Sequence, residues 1–225
     1  MTSINPGKKA AGERATEYIQ SGMIVGLGTG STAFWAIEKI GKMVMEGLQI
    51  TAVATSVTSE EQAEKLHIPL ISFAELDHID VDIDGADEVD ENMNLIKGGG
   101  GALLREKIIA SSSKEMIVVV DESKMVETLG KFPLPAEVIP FGWEMTFRKL
   151  QSFGCTPVLR KKNQEVFVTD NGNYIIDCSF GSIPSPGDLQ SQLNNIPGVV
   201  ENGLFTNICS TVIVGYADGS TKVIS

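Results

Sequence analysis

The residues best suited to chemistry lie together between positions 79 and 106, where carboxylates, a lysine and four consecutive glycines stand between two apolar segments. Apolar and acidic residues alternate over 79–84, which is the period of a short strand that Gly85 would end. Asp84 is therefore expected at the exit of a strand. The glycines 98–101 precede a segment with helical spacing, so backbone N–H groups should point into the space before that helix. The pattern predicts an anion or oxyanion site.

Glu106 is the candidate general base. On a helix that starts near residue 102, its face is shared with small or apolar side chains, namely Ala102, Leu103, Ile109 and Ala110. Partial desolvation by such neighbours favours proton abstraction, although the nearby helix N-terminus stabilises the charged form. The alternative is a solvated glutamate that complements the helix dipole in the first turn.

Lys97 immediately precedes the glycines. Its ammonium is placed to reach the space that the loop amides face, where it would hold a developing enolate oxygen. The alternative is an ordinary surface lysine in a loop.

A calcium-binding loop is a rival interpretation of the same stretch. The pattern D-x-[DN]-x-[DN]-G-x5-E is matched by Asp80, Asp82, Asp84, Gly85 and Glu91. An EF-hand needs a helix on each side, yet the residues before the pattern have strand periodicity and Asn92, Asn94 and the glycines oppose a helix after it. The sequence also has no second copy, so calcium is a minor alternative.

A second anion site is predicted near the N-terminus. Residues 23–25 have the pattern of a buried strand, 26–30 form a glycine-rich turn, and a helix follows with Ser31 and Thr32 at its N-cap positions. Such a turn presents N–H groups, hydroxyls and the positive helix end to phosphate. It is neither a Walker A loop nor a good dinucleotide fingerprint, since Ser31 replaces the third glycine and no acid follows the next strand. A helix cap without a ligand is the alternative.

The remaining pattern predicts an α/β fold, a mostly parallel sheet covered by helices (Rossmann-like), with a smaller inserted α+β domain. A helix is predicted over 8–20, strands over 50–54, 69–72, 79–83 and 116–120, and a capping box from Thr58 to Glu61. Because ligands bind beyond the carboxyl ends of parallel strands, residues 28–32, Asp84 and Lys124 are expected in one crevice.

The second half of the chain predicts a smaller unit. The proline-rich segment 131–140 marks a boundary, and a helix from Trp143 should end by Gly154. Short strands follow at 157–160, 165–169 and 174–178, with a turn at Asn171-Gly172, then a helix over 188–195. A hairpin of 208–216 and 221–224 should return to the first sheet. The predicted domains are 1–130 plus 206–225, and 131–205.

Composition narrows the class of protein. The 225 residues are 42% hydrophobic and carry a net charge of −11, which disfavours a nucleic-acid partner. Apolar runs stay short of the ~20 residues of a membrane span, and the first residues do not resemble a secretory signal. The three cysteines are scattered without a C-x-x-C, as expected of thiols in a reducing cytoplasm rather than of a zinc site.

Taken together, the motifs closely resemble ribose-5-phosphate isomerase of the A type. The family's motifs stand here as GTGSTA, DGADE, KGGGGALLREK, and DESK followed by LGKFPLPAEVIP, with further agreement in NGNYIID and NNIPGVVENGLF. Their joint order over nearly the whole chain makes the resemblance specific. It implies a cytoplasmic, metal-independent enzyme of the pentose phosphate pathway without a cofactor, acting on a phosphosugar as a homodimer or another homo-oligomer such as a tetramer.

The resemblance also implies the roles of individual residues. Glu106 would carry a proton between C2 and C1 through an enediolate, while Asp84, Asp87 and Lys97 act on the sugar oxygens. The implied substrate-binding residues are Lys8, Thr29, Gly30, Ser31, Thr32, Asp84, Gly85, Ala86, Asp87, Lys97, Gly98, Gly99, Gly100 and Lys124. Lys9 is the alternative to Lys8 as the phosphate ligand, and the family pattern favours Lys8.

One departure from the family pattern is Gly101, where alanine is common, and it should loosen the start of the helix without removing a functional group.

Two other functions compete with the isomerase interpretation. A sugar-phosphate-sensing domain of this fold would lack the base or the lysine, and both are present. An amino-sugar phosphate deaminase would need a histidine near its carboxylates, whereas His67 and His78 both precede the motif.

Overall fold

A computed structural model describes residues 5–225, which divide into two compact units. The larger unit comprises the chain up to Ala86, Arg105–Lys124 and Ile208–Ser225. The smaller comprises Asp87–Leu104 and Met125–Asn207. The domain boundaries read from the sequence stay a prediction, and these units differ from them in that residues 87–104, 125–130 and 206–207 belong to the smaller one.

Six α-helices and fifteen strands make up the described residues. The helices are α1 Pro6–Ala15, α2 Ala33–Met45, α3 Val57–Lys65, α4 Leu103–Ser111, α5 Trp143–Gln151 and α6 Pro186–Asn194. The strands are β1 Ile24–Leu27, β2 Thr51–Ala54, β3 Ile79–Gly85, β4 Glu88–Val89, β5 Leu95–Ile96, β6 Ser113–Asp121, β7 Leu134–Val138, β8 Thr156–Leu159, β9 Lys161–Lys162, β10 Glu165–Val166, β11 Tyr174–Ser179, β12 Val199–Asn202, β13 Leu204–Phe205, β14 Thr211–Gly215 and β15 Thr221–Ile224. Short 3-10 turns occupy Thr16–Tyr18, Phe73–Glu75 and Glu122–Lys124. Among the residues described, every helix is too short or too polar to cross a bilayer.

The larger unit is built on a six-stranded sheet with the order β15-β14-β6-β3-β1-β2. All neighbouring pairs are parallel except β14 with β15, which form the C-terminal hairpin. The hairpin returns to the first sheet as predicted, where β14 pairs with β6. Strand residues such as Val25, Leu27 and Ile83 pack with Ile37 and Ile40 of α2 in one buried cluster. The predicted fold class is confirmed, because alternating strand and helix segments have only this way to bury both faces of a parallel sheet.

The smaller unit carries a four-stranded antiparallel sheet with the order β12-β7-β11-β8. β7 runs through the segment that the sequence marked as a proline-rich boundary, and all five of its residues are buried. The prolines suggested a boundary, but proline lacks only the backbone N–H and can still accept hydrogen bonds in a strand. The Pro135 carbonyl accepts from the N–H of Gly203 at 2.8 Å. Two further short sheets, β13-β5-β4 and β10-β9, were not predicted as such.

Several predicted boundaries are corrected. The N-cap of α3 is Ser56, whose hydroxyl accepts from Ser59 N at 3.2 Å, so the helix begins before the predicted cap at Thr58. The first helix ends at Ala15 and continues only as a 3-10 turn. The predicted strand at 69–72 is a single bridge through Leu70, and the one at 165–169 is reduced to β10.

Asp80, at the start of β3, joins three elements of the larger unit. Its carboxylate accepts from Lys114 Nζ at 2.7 Å and from the backbone N–H of Ile24 at 2.9 Å, and it lies 3.1 Å from His78 Nε2. The hydrogen bond from Lys114 and then that from Ile24 lower the pKa of Asp80, against a smaller opposing effect of burial. Asp80 is the first ligand of the calcium pattern, and its carboxylate is engaged by Lys114 and Ile24 instead.

Replacing Asp80 with asparagine should lower the free energy of unfolding by about 1 kcal/mol or less near neutral pH. Because the pKa is lower in the folded state, the carboxylate stabilises above its unfolded pKa and loses that contribution as the pH falls through the folded value. Urea unfolding of both proteins from pH 7 downward should show the difference shrinking below about pH 4. Asp77→Asn, at an exposed neighbour, is the control. A difference in the free energy of unfolding that stays constant with pH would contradict the lowered pKa of Asp80.

Candidate active site

The glycine-rich turn after β1 is fastened to the end of β3 by Asp84. The buried Asp84 carboxylate accepts through Oδ1 from the N–H groups of Thr29 at 2.9 Å and Gly85 at 2.7 Å. A Cβ on Gly28 would lie 2.3 Å from that same oxygen. Only glycine therefore allows the turn to approach the carboxylate this closely. The structure brings together the two motifs that the sequence placed at neighbouring strand ends.

A cluster of hydroxyl groups holds the same turn from the other side, and sequence reasoning missed it. Thr29 Oγ1 lies 2.7 Å from the hydroxyls of both Thr55 and Ser56. Ser59 Oγ donates to the carbonyl of Gly28 at 2.7 Å. The hydroxyl of Thr29 thus fixes the turn. The available signal was that Thr55 and Ser56 follow β2, which is parallel to β1 and ends at the same edge of the sheet.

Lys8 points into the region of the turn and Lys9 does not. Lys8 Nζ donates to Ser31 Oγ at 2.9 Å and lies 3.8 Å from Asp121 Oδ2, whereas Lys9 Nζ stands 5.6 Å from the ring centre of Trp35. A cavity of about 550 Å³ opens beside Lys8 and Ser31. Thr32 is the N-cap of α2 but makes no side-chain capping bond. Ammonium, hydroxyl and helix N-terminus together suit an anion such as phosphate.

Residues after β6 complete this edge of the larger unit. Leu27 pairs with Ile83 and Gly85 with Val119, so β1, β3 and β6 end side by side as predicted. Asp121 accepts from the N–H of Ser123 at 3.1 Å and starts the turn that ends at the half-buried Lys124. Ala86, also half-buried, directly follows β3.

Glu106 is buried, with 3% of its surface exposed. It lies in the first turns of α4, where Ile109 and Ala110 are also buried. Ile109 packs so closely on β1 that a Cβ on Gly26 would lie 2.8 Å from its Cγ2. The predicted apolar face is confirmed and the solvated alternative is wrong. The neighbouring Lys107 is buried as well.

In the smaller unit, Asp87 supports the glycine loop. Its Oδ2 accepts from the N–H of Gly99 at 2.7 Å, and its own N–H bonds to the carbonyl of Ile96 at 2.8 Å. A Cβ on Gly99 would lie 2.5 Å from Asp87 Oδ1. The Asp87 carboxylate therefore anchors the glycine loop.

Lys97 is the largest fully buried side chain among residues 5–225, with 2% of its surface exposed. The Lys97 ammonium lies 5.4 Å from the ring centre of Phe205. The backbone N–H of Lys97 donates to the carbonyl of Gly203 at 2.9 Å. The surface-lysine alternative is wrong. Burying a cation is costly, so a lysine in this position is expected to pair with polar or charged groups.

The glycines 98–101 form a turn rather than a helix start. Gly98 has a φ of +98° and Gly101 of +87°, and the N–H of Gly101 bonds to the carbonyl of Gly98 at 3.0 Å. α4 begins at Leu103, two residues after Gly101, and the expectation that Gly101 loosens the helix start stays a prediction. Gly99 and Gly100 are exposed, so ligands have access to their part of the loop.

Replacing Gly101 with alanine should destabilise the protein by about 1–3 kcal/mol. The new Cβ would meet Cε1 and Cζ of Phe167 at 2.5 Å, in addition to the strain of a positive φ. Gly172→Ala is a matched control, because its φ is +79° but a Cβ there meets nothing within 4 Å. Chemical denaturation should show the larger loss for Gly101→Ala. Equal losses would mean that Phe167 yields freely and the contact is unimportant.

The extended geometry of β3 argues against a calcium-binding loop. The three aspartates of the pattern lie along the extended strand β3, which puts the Cα atoms of Asp80 and Asp84 about 13 Å apart at roughly 3.3 Å per residue. A calcium loop must instead fold its ligands around one point. Over residues 5–225, no group of three or more His, Cys, Asp or Glu side chains is arranged to hold a metal ion.

Comparison with known proteins places the chain among the sugar-phosphate isomerases. The family model described as ribose 5-phosphate isomerase A (phosphoriboisomerase A) matches residues 51–219. Ribose-5-phosphate isomerase A of Bacillus anthracis is 59% identical over 213 residues, which cover 94% of this chain and 97% of that protein. The chain therefore belongs to the ribose-5-phosphate isomerase A family, and it has the isomerase function of that family.

Solved structures agree with this assignment. A D-ribose-5-phosphate isomerase in complex with phospho-erythronic acid superposes with a TM-score of 0.94 at 42% identity, over the full length of both chains. Ribose 5-phosphate isomerase from Plasmodium falciparum gives a TM-score of 0.94 at 39% identity and covers 99% of each chain.

Proposed function

We propose that this chain interconverts D-ribose 5-phosphate and D-ribulose 5-phosphate by proton transfer, with Glu106 as the general base. The observation that carries the proposal is the burial of the Glu106 carboxylate at the start of α4. A carboxylate removed from water is a stronger base toward a carbon acid than a solvated one.

The proposed chemistry moves one hydrogen between carbons and one between oxygens. Glu106 takes the proton from C2 of the open-chain aldose, the C–H electron pair forms the C1–C2 double bond, and the C1 carbonyl becomes an oxyanion. The resulting carboxylic acid then returns the proton to C1. The O2 hydroxyl loses its proton as O1 gains one, so that C2 becomes the carbonyl of the ketose.

Lys97 and the amides of Gly98 and Gly100 are proposed to stabilise the enediolate oxygens, while the N–H of Gly99 is held by Asp87. A buried ammonium and oriented N–H groups act on charge that develops in the transition state, and they need little reorganisation. Asp84 and Asp87 are proposed to assist ring opening and the movement of protons between O1 and O2. Both carboxylates are held in place by backbone N–H groups.

The phosphate is proposed to bind where Lys8 meets the turn at 29–32. The bond between Lys8 and Ser31 supports Lys8 over Lys9 as its ligand. The N–H groups of Gly30, Ser31 and Thr32 lie at the N-terminus of α2, which favours an anion. Lys124 is proposed to line the substrate site with Gly85 and Ala86.

The wider setting is proposed from the family. The enzyme would serve the pentose phosphate pathway in the cytoplasm, as a homodimer or another homo-oligomer such as a tetramer, without a metal or a cofactor. Activity that survives EDTA would agree with the metal-free part of the proposal. Loss with EDTA and recovery with calcium or magnesium would contradict it.

A coupled assay tests the proposed function. Ribose 5-phosphate should be converted to ribulose 5-phosphate, whereas ribose and glucose 6-phosphate should turn over far more slowly. Phospho-erythronic acid, bound by the solved relative, should inhibit competitively. Binding of ribose 5-phosphate without turnover would favour the sensing domain instead, and preference for another phosphosugar would change the substrate assignment.

A further inference from the structure

Arg160 is the residue on which we build a further inference. It directly follows β8, and its guanidinium makes a two-point pair with Asp177, from Nε to Oδ2 at 2.9 Å and from Nη2 to Oδ1 at 2.5 Å. The side chains are only 14% and 23% exposed. Such a fork-shaped pair fixes the plane of the guanidinium. The remaining nitrogen is therefore aimed in a set direction.

That nitrogen binds the glycine loop. Arg160 Nη1 donates to the carbonyl of Gly98 at 2.9 Å and to the carbonyl of Gly99 at 3.2 Å. In a trans peptide the carbonyl and the following N–H point in opposite directions. The cation therefore turns the N–H groups of Gly99 and Gly100 away from itself. The N–H of Gly99 is directed onto Asp87, which accepts it at 2.7 Å.

Phe167 holds the other end of the loop. The guanidinium lies 5.8 Å from the centre of its ring, and the N–H of Phe167 bonds to the carbonyl of Arg160 at 3.0 Å. The ring packs against Gly101, where a Cβ would lie only 2.5 Å away. One arginine and the aromatic ring beside it thus brace a loop that, being all glycine, has little conformational preference of its own.

We propose that Arg160 is a positioning residue for isomerisation. It orients the peptide between Gly99 and Gly100 so that the N–H of Gly100 donates to an enediolate oxygen. Its charge on the two carbonyls also polarises the peptides and strengthens their N–H groups as donors. The Asp177 carboxylate holds the guanidinium in this orientation and neutralises its charge. The inference rests on the proposed function of the glycine loop as an oxyanion site.

The test compares Arg160→Ala, Arg160→Lys and Lys161→Ala. Arg160→Ala should lower kcat by about 100-fold while KM for ribose 5-phosphate changes only a few-fold, because donors displaced from the transition state affect turnover more than binding. The kcat of Arg160→Lys should lie between those of Arg160→Ala and the wild type, since one ammonium cannot bind Asp177 and two carbonyls together. Lys161→Ala, an exposed neighbour of the same charge, should behave as wild type.

Chemical rescue separates positioning from a structural role. Millimolar guanidinium should restore part of the kcat of Arg160→Ala and leave Lys161→Ala unchanged, while circular dichroism and the thermal midpoint confirm that the variant is folded. A folded Arg160→Ala with wild-type kcat would overturn the inference, and so would a loss that guanidinium does not restore. If Glu106→Gln is inactive in the same assay, either result overturns only the role of Arg160. An active Glu106→Gln overturns the proposed function itself.

Discussion

Replacing Glu106 with glutamine is expected to lower kcat for ribose 5-phosphate by roughly 10²–10⁴-fold or more. The amide has nearly the same shape as the carboxylate, but it cannot accept a proton from C2. Because the side chain is 3% exposed, water has little access to replace it as the base. Binding of phospho-erythronic acid, measured by calorimetry, should change much less than kcat. Loss of turnover with retained binding identifies the base.

Two further variants make the Glu106 result specific. Glu115→Gln removes the same charge from an exposed position and should keep wild-type activity. Glu106→Asp keeps a carboxylate but moves it back by one methylene, so it should retain a small fraction of the activity. Near-normal turnover by Glu106→Gln would refute the assignment.

Replacing Lys97 with methionine is expected to lower kcat by about 10²–10³-fold, the range for losing a donor to an oxyanion. Methionine keeps most of the buried volume, so the packing against Phe205 is largely preserved. KM should rise less than kcat falls, since the oxygen that the ammonium serves becomes fully charged only during reaction. Steady-state kinetics with ribose 5-phosphate provide both values.

Lys149→Ala is the matched control for Lys97, because Lys149 is an exposed lysine of the same unit. It should leave both constants unchanged. If Lys97→Met raised KM and left kcat intact, Lys97 would be a simple binding contact, and the enediolate would need another source of positive charge.

Local sequence patterns were sufficient to predict the secondary structure that carries the proposed catalytic residues. The alternation that ends at Asp84 and the helical spacing around Glu106 each depend on neighbouring residues only, and the structure has both as expected. The parallel sheet could also be predicted, because segments with strand patterns alternate with helical segments along the chain. The same periodicity predicted that the Glu106 face would be buried.

The partners of these residues could not be predicted, because they come from distant parts of the chain. Arg160 reaches a carbonyl 62 positions earlier, and Ser59 reaches one 31 positions earlier. Neither pairing has a local pattern. β7 was missed because its prolines resemble a boundary, although an accepting carbonyl is all that Pro135 must supply to Gly203.

The most direct measurement follows hydrogen at carbon by NMR while the enzyme equilibrates ribose 5-phosphate in D₂O through many turnovers. A proton held by Glu106 between two carbons exchanges with solvent in a fraction of turnovers, so deuterium should accumulate at C1 of the ketose and C2 of the aldose. Glu106→Gln should incorporate none over the same time. Complete retention of the original hydrogen by the wild type, or undiminished exchange in the variant, would contradict proton transfer by Glu106.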